Sequence, residues 1–380
     1  MEKRTFKEQA LAWGFLSPAL IVLIGFGLFP IGYAFYVSLH RWRIKKDSLV
    51  GFEHYQRAIG DLQSLGLVCL GVLLLWAALR WHRRLSGESA GWLTRRWLVF
   101  MPLALAGVWL IATATPSMLD SGDPRLYNGF KVNVFYVLGT IPAELSLSLG
   151  LASLLFWSAR GRSGFRVLYF LPYVTPAIAS AVVFRTLFNP HPSSIANLFW
   201  GFLGFENQRW LFENKSVMAL ILQGLNIHQY PAWVDQCFPS LALVSVILYN
   251  VWVYIGYNTV ILLAGLSAIP RHYYEAAAID GANAWQVFRQ ITLPLISPTL
   301  FFLSMIAVIG TFKAFNHIYI MRTVGARDSV DVLSILIFDQ IFQYHNAGYA
   351  SALAFILFIA ILGLTVVQNR VLGRRVFYGD

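Results

Sequence analysis

Asn250, Tyr254, Tyr257 and Asn258 recur at i, i+4, i+7 and i+8 within an apolar run, which gathers two amides and two phenols on one face of a helix. Such a stripe suits a polyhydroxylated solute, whose hydroxyls need hydrogen-bond partners and whose C–H faces stack on rings. It equally suits contacts between helices, or tyrosines anchored at a headgroup layer. Glu144 and Asn316 also lie in apolar surroundings, where polar groups usually face a bundle interior or a water-filled path. Arg185 and Lys313 stand near the ends of their runs and read as side chains snorkelling to the interface. A second polar set is the island "YEAAAIDGANAWQVFRQITLPL", Tyr274 to Leu295, between two apolar runs. Ala, Gln and Glu favour helix, Gly281 interrupts it, and Pro294 is expected to break the backbone where the next run begins. The expected shape is helix, glycine bend, helix. Glu275 beside the small Ala276 and Ala277 would offer a carboxylate where another backbone can come close, as a docking knob does. A plain solvated loop accounts for the same residues.

Signatures of chemistry carried out by the chain itself are missing from the sequence. None of the seven lysines follows a glycine as a GxxxxGK[ST] phosphate loop requires, HExxH does not occur, and the one GxSxG match, Gly87 to Gly91, falls in a polar connection between apolar runs and not behind a strand pattern. Cys69 and Cys237 lie far apart and outside any CxxC or Cys/His cluster, and His191, His228 and His272 read as loop or interfacial residues. No catalytic residues and no metal site are expected.

What positions the polar residues follows from composition. With 57% hydrophobic and 12% charged residues over 380 positions, most of the surface must meet lipid. Eight runs are long enough to cross a hydrocarbon core: Leu16 to Leu39, Leu62 to Leu79, Trp97 to Leu119, Val132 to Ser158, Val167 to Asn189, Leu241 to Ile269, Leu295 to Ile320 and Ala347 to Val367. Their continuous apolarity reads as helix rather than barrel strand. The expected class is an all-α polytopic membrane bundle. The first run lacks a small-residue cleavage site and is expected to stay as a span.

Orientation comes from Lys and Arg in the connections. With the N-terminus inside, the inner segments carry sixteen, from Lys3, Arg4 and Lys7 through Arg160, Arg271 and Arg289 to Arg370, Arg374 and Arg375. The outer segments carry eleven, five of them between Arg41 and Arg57. Both termini and the Glu275 island are then cytoplasmic. The net charge of +11 is spread over connections, which fits contact with anionic lipid and not with nucleic acid.

The order Glu275-Ala276-Ala277, Gly281, nine residues, Ile291, one residue, Leu293-Pro294 resembles the "EAA---G---------I-LP" loop of permease subunits of binding-protein-dependent ABC importers. "FLSPALIVLIGFGLFPIGYAFYVSL", "FRVLYFLPYVTPAIASAVVFRTLFNP" and "LLAGLSAIPRHYYEAAAIDGA" are similar to the carbohydrate-uptake branch, the maltose, trehalose and glycerol-phosphate type. Two features depart from it. Residues 62–129 carry two extra apolar runs, and Met321 to Ala326 stands where the family often has a "TGGGP" turn.

The resemblance implies a type I ABC importer transmembrane fold with six core helices plus an inserted hairpin. Residues 1–61 would hold the N-terminus and first span, 62–129 the hairpin, and 130–380 the core with its coupling loop at 271–294. It implies that Glu275, Ala276, Ala277, Asp280, Gly281, Ile291, Leu293 and Pro294 form the contact with an ATPase subunit; among the polar residues within spans, Asn250, Tyr254, Tyr257, Asn258 and Asn316 are the candidates to border a solute path. The implied partners are a second permease, two copies of an ABC ATPase that bind the ATP and Mg²⁺, an extracytoplasmic solute-binding protein, and membrane lipid. Residues 190–239, with Trp200, Trp210 and Trp233, would be the binding protein's dock or a cap lying on the headgroups. The function implied is a sugar importer's permease in the cytoplasmic membrane. The competing readings are a stand-alone secondary transporter or channel, and a membrane-bound glycosyl- or phosphotransferase.

Overall fold

The computed structural model describes residues 6–84, 93–157 and 162–377. Lys3, Arg4 and Arg160, counted above as inner charges, lie outside the described residues, as does the centre of the basic connection after Arg84.

Helix α1 (Phe6–Val22) passes through a π-helical turn, Leu23–Leu28, into α2 (Phe29–Ser38). Strands β1 (His40–Trp42) and β2 (Lys46–Leu49) pair antiparallel, His40 opposite Leu49. Then come α3 (Glu53–Ile59), α4 (Leu62–Arg84), α5 (Leu93–Ser121) and α6 (Pro124–Trp157). Helices α7 (Arg162–Val174) and α8 (Ala177–Leu187) are followed by the short α9 (Ile195–Phe202), α10 (Val217–Gly224) and α11 (Trp233–Cys237). Helix α12 (Leu241–Ser267) leads into α13 (Arg271–Ile279), α14 (Ala284–Val287) and α15 (Leu293–Phe312). The chain continues with α16 (Asn316–Met321), α17 (Arg327–Val330), α18 (Leu333–Phe342) and α19 (Ala347–Val371). Helices α9, α10 and α12 each start behind a serine: Ser194, Ser216 and Ser240 accept the backbone N–H three residues on, at 3.3, 3.1 and 3.1 Å.

Among the described residues, seven helices are long and apolar enough to span a membrane, with an eighth span if α7 and α8 are one broken crossing. The expected continuous helix from Val167 to Asn189 is corrected: it bends by 100° between Val174 and Ala177. Pro176 lacks an N–H and disfavours helix at Thr175. Side-chain hydroxyls bond carbonyls on either side of the bend. The Thr175 hydroxyl donates to the Leu171 carbonyl at 2.9 Å, and the Tyr249 hydroxyl to that of Ala177 at 3.1 Å.

The run expected from Leu295 to Ile320 is also redrawn. The spanning helix begins at Ala284 and ends at Phe312, and α16 is separate. Pro294 does not break the chain. The preceding turn, Phe288–Thr292, is π-helical, and α15 begins with the proline in its first turn. A widened turn moves the local bonding pattern so that a missing N–H and a bulky ring are tolerated.

The described residues fall into two compact units, one within 1–127 and 337–356, the other within 128–336 and 357–380. In the first, α4 and α5 lie along each other. A Cβ on Gly71 would sit 2.8 Å from the Gly107 carbonyl oxygen, and one on Gly107 the same distance from that of Gly71. Small residues permit this approach. The start of α4 is tied to the end of α5, with the Asp61 N–H donating to Ser121 Oγ at 2.9 Å and the Asp123 N–H to the Ala58 carbonyl at 3.0 Å.

His54, on α3, is buried, and its Nε2 donates to the His40 carbonyl at 3.2 Å. Burial dominates and pushes its pKa below the ordinary 6.5, with Arg57 and Arg41 adding to the effect and the carbonyl and Glu53 opposing it. The folded chain thus prefers the neutral ring. Stability should be full above pH 6.5 and decline as pH falls below it. Thermal unfolding in detergent should show this slope reduced in His54→Gln, and equal slopes in the two proteins would refute the role.

In the second unit, α7 packs on α12 at Gly256, where a Cβ would overlap the Tyr169 backbone carbonyl. Tyr136, Leu243, Val246, Tyr249, Ile318 and Met321 are core residues of this unit.

Candidate functional site

Two regions of the second unit carry the polar chemistry expected from the sequence. The first surrounds α12. Asn250 and Asn258 are buried, whereas Tyr254 is 38% exposed and Tyr257 half-buried, so the stripe divides its work. Asn258 hydrogen-bonds the carboxyl group of Glu144 on α6, which is a contact between helices. Glu144 is only 2% exposed and its Oε2 has no partner. Tyr254 and Tyr257 instead join Tyr173 of α7: the rings of Tyr173 and Tyr257 stack at 4.5 Å, and Tyr254 meets Tyr173 edge-on at 5.7 Å. Among the described residues, Asn316 stands apart from this cluster. It is exposed at the start of α16.

Sequence reasoning missed His317, Tyr136 and Tyr249. The Tyr136 hydroxyl and His317 Nε2 lie 2.8 Å apart, the rings of Tyr249 and His317 stack at 5.2 Å, and the Tyr249 and Ser180 hydroxyls lie 2.8 Å apart. A tyrosine within an apolar run, Tyr136, was the available signal. Arg185 does more than snorkel: its Nη1 donates to the Ile320 carbonyl at 3.1 Å, covering an open carbonyl in the last turn of α16. Lys313 is exposed at the end of α15, as snorkelling requires.

The second region is the 271–294 segment, and local rules account for its shape. Helix α13 ends in a left-handed cap. Gly281 has φ +70°, its N–H donates to the Ala278 carbonyl at 3.2 Å, and the Ala282 N–H reaches that of Ala277 at 3.0 Å. Those two bonds and a glycine after the C-cap residue Asp280 make a Schellman motif. Helix α14 then starts with a reciprocal capping box, the Gln286 N–H to Asn283 Oδ1 at 2.9 Å and the Asn283 N–H to Gln286 Oε1 at 2.8 Å.

Tyr274 braces α13. Its ring meets Trp157 of α6 edge-on at 5.5 Å, and its hydroxyl lies 3.5 Å from Thr292 Oγ1. On the outside, Glu275, Ala276 and Asp280 are exposed, with Ile279 at 86% and Trp285 at 66%. Ala277 is buried; Ile291 and Pro294 are half-buried where α15 begins, and Leu293 is exposed. The result is a bent helical knob, held to the bundle on one side and showing a carboxylate and two large apolar side chains on the other.

No space problem forces a glycine at 281, since an added Cβ would meet nothing within 4 Å; the requirement is the positive φ. Gly281→Ala should weaken the elbow by roughly 1 kcal/mol. Amide exchange at Gly281 and Ala282 should accelerate in the variant, and unchanged exchange would refute the cap.

Residues 190–239 carry the short helices α9, α10 and α11. The Trp210 indole N–H donates to Asn197 Oδ1 at 2.8 Å, and its ring meets that of Trp200 edge-on at 5.7 Å, while Trp233 is 56% exposed. Among the described residues, no cluster of His, Cys, Asp or Glu could hold a metal ion.

Known proteins resemble the chain in sequence and fold. The chain is 29% identical to the probable ABC transporter permease protein YesP of Bacillus subtilis over 327 residues, covering 85% of this chain and 90% of that protein. It is 28% identical to the trehalose/maltose transport system permease protein MalF of Thermococcus litoralis over 371 residues, covering 97% and 96%. A bacterial ABC transporter that imports the acidic polysaccharide alginate shares the fold, with a TM-score of 0.54 at 20% identity over 74% of this chain and 96% of that one. Residues 145–378, which include the α13 knob and all of α12, match the family profile described as the inner membrane component of binding-protein-dependent transport systems. The chain belongs to that family: it is a multi-pass membrane permease component of an ABC transport system.

Proposed function

We propose that the chain forms one half of the pathway through an ATP-driven importer of sugars, for mono- or oligosaccharides or related polyols and glycosides. Its likeness over nearly its whole length to a permease named for trehalose and maltose supports the substrate class. The observation that carries the energetic reading is the Gly281 elbow, with Glu275 and Ile279 outward on α13, which Tyr274 braces to α6, and Trp285 outward on α14.

In this reading Glu275, Ala276, Ala277, Asp280, Gly281, Ile291, Leu293 and Pro294 form the coupling segment, seated in a cleft of an ATPase subunit. Two such subunits bind ATP and Mg²⁺, a second permease completes the pathway, and an extracytoplasmic binding protein delivers the solute. Both termini and the knob face the cytoplasm. Closure of the ATPase pair moves α13, the brace moves α6, and the bundle rocks between inward and outward openings. Residues 62–129 are a hairpin added to a six-span core at 130–380 and the first span. Tyr254 and Tyr257, with Tyr173, offer the ring surface along the solute path, and Asn258 with Glu144 holds α12 to α6. ATP hydrolysis is the partner's chemistry and not this chain's.

The test is purification with its partners from the native host, reconstitution into liposomes, and ATPase assay with candidate saccharides and the binding protein. Saccharide-dependent hydrolysis is expected. Isolation as a lone chain that moves solute on an ion gradient without ATP would reject the proposal.

A further inference from the structure

A cleft of about 600 Å³ opens within the unit formed by residues 1–127 and 337–356, and Arg43, Arg57 and Arg125 line it with a single carboxylate, Asp123. That carboxylate is already engaged. Its Oδ1 accepts the Arg125 backbone N–H at 2.9 Å, and its Oδ2 accepts the Tyr349 hydroxyl at 2.6 Å. Neither Arg43 nor Arg57 forms an ion pair among the described residues. The Arg57 guanidinium sits 4.6 Å from the centre of the Tyr349 ring, and Arg125 Nη1 donates to the Tyr344 hydroxyl at 3.1 Å. Stacking on a ring face steadies a guanidinium without spending the N–H groups along its edge. Ser121, Gln340 and Asn346 add neutral hydrogen-bonding groups. Three cations against one occupied anion leave the cleft at +2, the potential of an anion site.

The place of the cleft along the spans narrows the anion. Arg43 and Arg57 lie between the first span, which ends at Ser38, and the second, which begins at Leu62. Ser121 to Arg125 joins the third span to the fourth, and Gln340 to Asn346 precedes the last at Ala347. Five span ends therefore meet on one side of the membrane, at the depth where apolar helix gives way to headgroups. Near in sequence to the lining residues stand exposed apolar ones: Leu119, Ile341 and Phe342. A soluble anion gains nothing from these, whereas an acyl chain does.

We propose that this cleft binds the headgroup of an anionic phospholipid, with the phosphodiester oxygens held by Arg43, Arg57 and Arg125. The phosphate takes paired N–H donors from the guanidinium edges, and the acyl chains descend along the neighbouring apolar surface. The site holds a lipid against the ends of five spans and is distinct from the α12 cluster and the α13 knob.

The experiment uses the full chain in phosphatidylcholine nanodiscs and reads, by electron paramagnetic resonance, the preference for spin-labelled phosphatidylglycerol over spin-labelled phosphatidylcholine. Changing all three arginines to glutamine should cut that preference at least about fivefold. Arg43→Gln alone, in the exposed connection after β1, should give a partial loss, and it decides the matter if the triple variant does not fold. An unchanged preference in a folded variant overturns the proposal. So does full displacement of the labelled lipid by millimolar inorganic phosphate, which would assign a soluble anion. Retained lipid preference with lost capture of the purified solute-binding protein also overturns it, in favour of an acidic protein surface.

Discussion

Glu275→Ala should lower saccharide-dependent ATPase activity and uptake by about thirtyfold while the protein still inserts and folds. Glu275 is exposed on α13 and, among the described residues, no bond depends on its side chain, so its removal leaves the Schellman cap, the capping box and the Tyr274 brace intact. What it removes is one carboxylate from the proposed ATPase cleft. Losing one partner of a charge-assisted bond buried at an interface costs on the order of 2 kcal/mol or more, and 1.4 kcal/mol is tenfold. Glu275→Gln keeps the shape and some hydrogen bonding and should fall between. Normal uptake by the alanine variant, at equal membrane abundance, would remove Glu275 from the coupling contact. Loss of the protein from the membrane would show a folding role that its exposure does not predict.

Gly256→Ala should destabilise the chain by about 3 kcal/mol, out of proportion to one methyl group. The obstacle is the Tyr169 backbone carbonyl, not the tip of a side chain that could turn aside. Relief requires moving α7 bodily away from α12, and that in turn pulls Tyr173 off Tyr257. Gly150→Ala provides the matched control, since a Cβ there meets nothing within 4 Å and alanine favours helix. Thermal unfolding in detergent should separate the two variants clearly. Equal stability would mean that α7 and α12 are not packed as closely as Gly256 requires.

The span positions were legible because crossing a hydrocarbon core demands length, and length survives without knowledge of partners. Leu241 to Ile269 and Ala347 to Val367 differ from the observed helices by a few residues at one end only. The bend at Thr175–Pro176 escaped because run length takes no account of a proline among apolar residues. At Pro294 the reverse holds: a proline that reads as a break continues the chain, because the turn before it is already widened. The elbow was legible in outline from Gly281. Its full mechanism was also written locally, in Asp280, Asn283 and Gln286, as cap positions. The α12 cluster was the hard part. Periodicity placed two asparagines and two tyrosines on a common face, but Glu144 and Tyr173 come from other helices and decide which does what. Tyr136 and His317 are 181 residues apart, and no local pattern relates them.

The π turn at Phe288–Thr292 sets an angular phase as well as housing a proline. A helix advances about 100° per residue, so one extra residue in a turn rotates everything before it by that amount relative to everything after. Trp285 and the capping box lie before the turn, and the membrane-spanning length of α15 lies after it. The direction in which the knob points is therefore stored in the residue count between Val287 and Leu293. Deleting one residue there would leave every helix intact and aim Trp285 about a quarter turn away from its partner.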